Sequence, residues 1–195
     1  MRPRVSVFFG MSMDGFIAGE NHSLEWLSIV ETNPPEDTGY AALMADVDAL
    51  VIGRNTYDAV IGFTPYPYSG KRVIVLTTRP AESKHSETFY SGSLEPLLET
   101  LALKGVRRVY LDGGNAVRQG LEAGVVDDLT ISTLPIILGS GIALFERGIP
   151  QSRWTLTSSR SFGSGLVQAT LDIKCVWNCI IYTMTSRKYR FHAYQ

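Results

Sequence analysis

The chain has 195 residues, 45% of them hydrophobic, and a formal net charge of -1. That length and apolar fraction are enough to bury a hydrophobic core in one domain without disulfide or metal staples, and they argue against a disordered chain. Near-neutral charge gives no long-range field for nucleic acid or an anionic membrane, so any anion must be met by a few local cations.

Val5 to Phe9 is a β-branched and aromatic run of strand type. Gly10 to Asn21 follows as a loop, with Asp14-Gly15 as a turn signal, and residues 24–27 have room for one helical turn. Pro34 and Pro35 break regular structure. Tyr40, Leu43, Met44 and Val47 then form the apolar stripe of a helix over 38–47, which Asp37 or Thr38 can cap. Residues 49–52 form a buried strand running into Gly53-Arg54-Asn55-Thr56, a turn that opens a helix. After a Pro/Gly loop at 66–71, residues 72–76 form another strand, ending at Thr77-Thr78-Arg79. A helix over 94–103 and a strand over 106–111 lead to Asp112-Gly113-Gly114-Asn115 and a helix over 116–123.

Residues 128–134 form a strand stopped by Pro135, and 142–145 is short and apolar. Residues 154–162 and 165–173 read as a late hairpin. Alternating strands and helices predict an α/β domain over 1–174 with a largely parallel sheet and an antiparallel C-terminal hairpin at its edge. The segment 175–195 departs from this pattern. Trp177 to Tyr182 has strand character, and Arg187, Lys188 and Arg190 make a basic stretch. Cys175 and Cys179 give no disulfide framework, and His22, His85 and His192 have no metal-ligand spacing. The apolar stretch before Gly10 is too short for a secretion signal, and no run approaches the roughly 20 residues that span a bilayer. A cytoplasmic protein without metal, membrane or nucleic-acid partner is therefore expected.

Three strand ends have residues suited to a phosphate, with a plain turn, a helix cap without ligand and a capped loop before Pro80 as their respective alternatives. Gly53 lets a ligand approach the backbone, Arg54 supplies a planar cation and Thr56 a hydroxyl. Gly113 and Gly114 allow successive amides of Asn115 and Ala116 to cradle a pyrophosphate. Thr77, Thr78 and Arg79 sit where ligands of open α/β sheets gather, beyond the carboxyl ends of strands. The G-x-G-x-x-G spacing of a Rossmann dehydrogenase is absent.

With Ser12 to Ala18, Val47 to Tyr57, Val73 to Arg79, Tyr110 to Asn115 and Leu134 to Gly141 in this order, the chain resembles the dihydrofolate reductase superfamily. Within it, the chain is most similar to the RibD C-terminal (riboflavin biosynthesis reductase) domain family. The resemblance implies a three-layer sandwich around an eight-stranded, mostly parallel sheet, NADPH as hydride donor, and a homodimer. It implies that Arg54, Thr56, Thr77, Thr78 and Arg79 hold adenosine and phosphates, and that Gly113, Gly114, Asn115 and Ala116 take the pyrophosphate. Gly10, Ile17 and Ala18 would lie against the nicotinamide.

The implied reaction moves hydride to a C=N or C=O carbon of a pyrimidine- or pterin-like small molecule, which also requires a proton donor. Asp37, Asp14 and Asp112 are the candidate acids. Asp37 lies where folate reductases keep their pterin acid, Asp112 where riboflavin-type reductases contact substrate, and Asp14 in the first loop. Each has a plain structural alternative as a cap or turn residue. A true folate reductase and a non-catalytic nucleotide-binding module of the same fold are the alternatives.

Overall fold

The structure is a computed structural model and describes residues 1–79, 82–146 and 148–173. The segment 175–195, with its alternatives of a strand and a basic stretch, lies outside the described residues. The elements are β1 (Arg4–Ser12), β2 (Phe16–Ala18), α1 (Tyr40–Asp46), β3 (Ala49–Gly53), α2 (Arg54–Val60), β4 (Arg72–Leu76) and β5 (Thr88–Tyr90). They continue with α3 (Leu94–Leu103), β6 (Arg108–Asp112), α4 (Gly114–Glu122), β7 (Asp128–Leu134), β8 (Ile142–Ala143), β9 (Trp154–Ser161) and β10 (Val167–Ile173).

The main sheet has eight strands in the order β5-β4-β3-β6-β1-β7-β10-β9. The first six are mutually parallel, and β10 runs antiparallel to both β7 and β9. The expected mostly parallel eight-stranded sheet with an antiparallel C-terminal hairpin is therefore the observed one. β3 sits among parallel neighbours and is buried along its whole length, which is why its sequence is a continuous apolar run rather than an alternating one.

Side-chain alternation along the strands feeds two cores. Val5, Val7, Val51, Val109 and Leu111 pack against Leu94, Leu98 and Leu101 of α3 and Val117 and Leu121 of α4. On the other face Leu50, Ile52, Val73 and Val75 pack with Tyr57 of α2, and with Tyr40, Leu43 and Met44 of α1. Helices on both faces make the three-layer sandwich.

Some local boundaries differ from those the sequence predicts. α1 begins at Tyr40, not 38, because Gly39 adopts φ 83° at the helix entry, where no side chain caps the helix. The expected loop after residue 9 instead continues as β1 to Ser12 and folds back as β2, which pairs with β8. The turn at 24–27 is a longer 3-10 helix, Glu25–Val30. β5 gives no periodic signal because it is only three residues long.

At the amino ends of the strands, Asp128 is buried but satisfied. Its carboxylate accepts from Arg4 Nε at 2.6 Å and from the Ser6 hydroxyl at 2.9 Å. A buried charge so paired is a structural fixture. The carboxyl ends are different. From β1 the chain passes first to β3, β4 and β5 on one side, and later to β7 on the other. Crossovers that diverge in this way leave a crevice above the strand ends, where ligands of open sheets bind.

Candidate functional site

A cleft of about 840 Å³ occupies that crevice. All three strand-to-helix signals open onto it. Gly53, Arg54 and Thr56 come from the end of β3, Thr77, Thr78 and Arg79 from the end of β4, and Gly113, Gly114, Asn115 and Ala116 from the end of β6. Gly10, Ile17 and Ala18, from β1 and β2, complete the wall. The thirteen residues named from the sequence are thus brought into one cavity.

Two of these turns touch. A Cβ on Gly113 would lie 2.3 Å from Thr56 Oγ1, and one on Gly114 would lie 2.8 Å from Ile17 Cδ1. Gly113 also has φ 89°, a conformation that L side chains rarely adopt. Glycine is required here on both counts. No side chain caps α4, so its first amides face the cleft with the positive end of the helix dipole.

The cations have a shared partner that the sequence reading missed. Arg54 Nε donates to both oxygens of Asp58, at 2.8 and 3.0 Å, and Arg79 Nη2 lies 3.9 Å from the same carboxylate. The spacing from 54 to 58 is the i, i+4 step of a helix, so this pair was visible in principle. Arg54 Nη1 is buried and has no partner among the described residues. Thr77 is partly occupied, since its hydroxyl accepts from Arg79 N–H at 3.0 Å. Arg118, one turn along α4, also lines the cleft and pairs with Glu146 at 2.6 Å.

Of the three candidate acids, only Asp112 reaches the cleft. It ends β6, and its Oδ2 accepts from the Tyr68 hydroxyl at 3.2 Å. Burial pushes its carboxyl above the ordinary carboxylate range, against the opposing hydrogen bonds from Gly113 N–H and the neighbouring tyrosines. The reciprocal effect falls on Tyr40, pushed up to about 12 by burial and by the charge of Asp112. Tyr68 rises for the same two reasons. An acid whose pKa burial raises, in a cleft whose apolar wall includes Phe8, Leu27 and Val60, is a candidate for proton transfer. Tyr68 lies in a loop with no periodic pattern, which hid it from the sequence.

Asp14 and Asp37 do not line the cleft. Asp14 Oδ1 accepts from Ser12 Oγ at 2.7 Å and Leu138 N–H at 3.1 Å, and Oδ2 accepts from Gly139 N–H at 2.7 Å. Those bonds, the Ser12 hydroxyl foremost, pull its carboxyl below the ordinary value. Asp14 is a clasp that ties the first turn to loop 138–139. Asp37 is exposed, and its carboxylate accepts from Gly39 N–H at 2.8 Å. It stabilises the turn before α1, but it does not cap the helix. Among the described residues no group of acids, histidines and cysteines forms a metal site, and no helix is long and apolar enough to cross a membrane.

Comparison with known proteins adds an independent line. The model of a family described as "RibD C-terminal domain" matches residues 3–168. The uncharacterized protein YwjB of Bacillus subtilis is 28% identical over 169 residues, covering 85% of this chain and 96% of YwjB. A putative riboflavin biosynthesis protein from Shewanella sp. PV-4 is 34% identical, with a TM-score of 0.82, over 89% of this chain and 99% of that one. The Thermotoga maritima diaminohydroxyphosphoribosylaminopyrimidine deaminase/5-amino-6-(5-phosphoribosylamino)uracil reductase shares the fold at 14% identity. Its TM-score is 0.64, over 89% of this chain and 57% of that one.

Proposed function

The chain belongs to the RibD C-terminal domain family, with a dihydrofolate-reductase-like fold, and from that premise we propose that it is an NADPH-dependent reductase acting on a small pyrimidine- or pterin-like heterocycle. The observation that carries the reading is the convergence of three strand-to-helix turns on one cleft that also contains the half-buried Asp112, whose pKa desolvation raises.

The residues fit a phosphorylated dinucleotide. Arg54 Nη1 is buried without a partner among the described residues, the backbone at Gly113 excludes a side chain, and the start of α4 presents uncapped amides. These are the donors an anionic ligand needs. In this reading Gly113 to Ala116, with Gly53, Arg54 and Thr56, hold phosphates. Thr77, Thr78 and Arg79 hold the adenosine end, and Gly10, Ile17 and Ala18 flank the nicotinamide. Two guanidiniums against the single carboxylate of Asp58 leave positive charge for a 2′-phosphate, which favours NADPH over NADH.

When bound, the cofactor supplies the hydride. The protein's own part is to hold two rings together, exclude water and place a proton. Asp112 is the group placed to donate that proton, and the Tyr68 hydroxyl fixes the orientation of its carboxyl. The folate-reductase alternative loses its acid, because Asp37 does not line the cleft.

The test uses the purified full chain. NADPH should raise its Tm, by mass action on the native state, more than NADH does. NADPH should also be consumed when 5-amino-6-(5-phosphoribosylamino)uracil or a related aminouracil is added. The proposal is overturned if NADPH does not raise the Tm and is not consumed with any of these substrates.

A further inference from the structure

The turn Glu20-Asn21-His22-Ser23 has an unusual residue in it. Asn21 (φ 55°, ψ 28°) and His22 (φ 63°) are consecutive left-handed residues, and Ser23 N–H donates to Glu20 O at 3.2 Å. This is the type I′ pattern, whose second central position is normally glycine. Asparagine suits the first position, but histidine in the second is strained. Strain of this kind points to a use for the side chain.

The position of the turn indicates that use. Ile17 packs on Gly114, where α4 begins. Five residues later His22 reaches Asn55 in the first turn of α2, with Nε2 and Nδ2 3.4 Å apart. The starts of those helices touch through Gly113 and Thr56. The segment from Ile17 to His22 therefore crosses above the junction where the amides of α4 face the cleft, and His22 lines that cleft. The Asn55 amide nitrogen can only donate, so in this contact Nε2 of the ring accepts and Nδ1 is the nitrogen that carries a proton. Nδ1–H is then free to donate.

We infer that His22 is a further binding residue, whose imidazole donates to a phosphate oxygen of the dinucleotide and closes the cleft over it. The inference rests on the nucleotide reading above. Its chemistry is a hydrogen bond to an anion, not participation in hydride transfer.

The test measures the Kd for NADPH by fluorescence titration, and the ligand-free Tm, for the unaltered chain and for His22→Gly and His22→Asn. Glycine relieves the turn, so the Tm of His22→Gly should rise while its Kd weakens about ten-fold, as loss of a charge-assisted hydrogen bond implies. His22→Asn tolerates the left-handed backbone and keeps a donor, so its Kd should lie between the two. NADPH binding by His22→Gly as tight as by the unaltered chain overturns the inference alone. A weaker Kd accompanied by a lower Tm marks a structural role and overturns it too. An unaltered chain that does not bind NADPH removes both the inference and the nucleotide reading.

Discussion

Asp112 and Asp14 begin from similar sequence and end in opposite surroundings. Asp112 ends a central strand, Asp14 lies two residues beyond one, and each precedes a glycine with φ 89°. Around Asp14 the fold supplies a serine hydroxyl and two backbone amides, all donating to the carboxylate, and the charged form is favoured. Around Asp112 it supplies burial, and the charged form is disfavoured even though Tyr68 donates to it. The difference teaches that what these two acids can do is set by the donors and the solvent that the fold leaves around each carboxyl. An exposed carboxylate with several donors holds a loop in place. A half-buried one facing a cleft has its pKa raised by desolvation despite its donors, which suits it to proton transfer.

The largest effect expected from this contrast is at Asp112. Asp112→Asn should lower kcat about 10²- to 10⁴-fold, the usual value of a positioned general acid. In the unaltered chain kcat should fall as pH rises through the raised pKa of Asp112, and the variant should lose that limb. Stability should move the other way. A carboxyl whose folded pKa is raised contributes stability that is present below its unfolded pKa and lost as pH rises through the folded one. The variant should therefore melt at higher temperature than the unaltered chain at alkaline pH, and lose that advantage in acid.

Next is Tyr68→Phe. The Tyr68 hydrogen bond lowers the pKa of Asp112, so its removal should shift the falling limb of the kcat profile to higher pH. The accompanying loss in kcat should be about ten-fold, equivalent to one hydrogen bond. An unmoved limb would break the link between the two residues.

Asp14→Asn should leave kcat within about two-fold of the unaltered value. It should lower Tm near neutral pH, because a carboxyl with a depressed folded pKa stabilises above its unfolded pKa and loses that contribution as pH falls through the folded one. Melts of the two proteins should converge in acid, and a large loss of kcat would erase the distinction from Asp112. The smallest effect is at Asp37. Asp37→Asn, with its side chain exposed and bonded among the described residues only to Gly39 N–H, should alter neither kcat nor the pH profile in the same assays.

The cleft rim was legible because strand-turn-helix junctions announce themselves locally. An apolar run ending in Gly53-Arg54 or Gly113-Gly114 marks the junction, although β6 spans Arg108–Asp112 rather than 106–111 and α4 spans Gly114–Glu122 rather than 116–123. β7 and α3 match their expected spans, 128–134 and 94–103, because Pro135 stops the first and an unbroken leucine stripe marks the second. What escaped was contact between a turn or loop and an element far along the chain. Tyr68 meets Asp112 across 44 residues and His22 meets Asn55 across 33, and no periodicity encodes either pairing. Asp58 was a different omission, since its helical spacing from Arg54 was available. The demotion of Asp37 came from Gly39, whose left-handed backbone moved the helix start and turned the carboxylate toward its own loop.

A crystal structure of the full chain with NADP⁺ tests the central claim most directly. The account predicts the diphosphate at the amides of Gly114 to Ala116 and the nicotinamide beside Gly10, Ile17 and Ala18, with Asp112 facing the space a heterocycle would fill. A dinucleotide bound elsewhere on the sheet, or one whose nicotinamide lies on the far side of the cleft from Asp112, would contradict it.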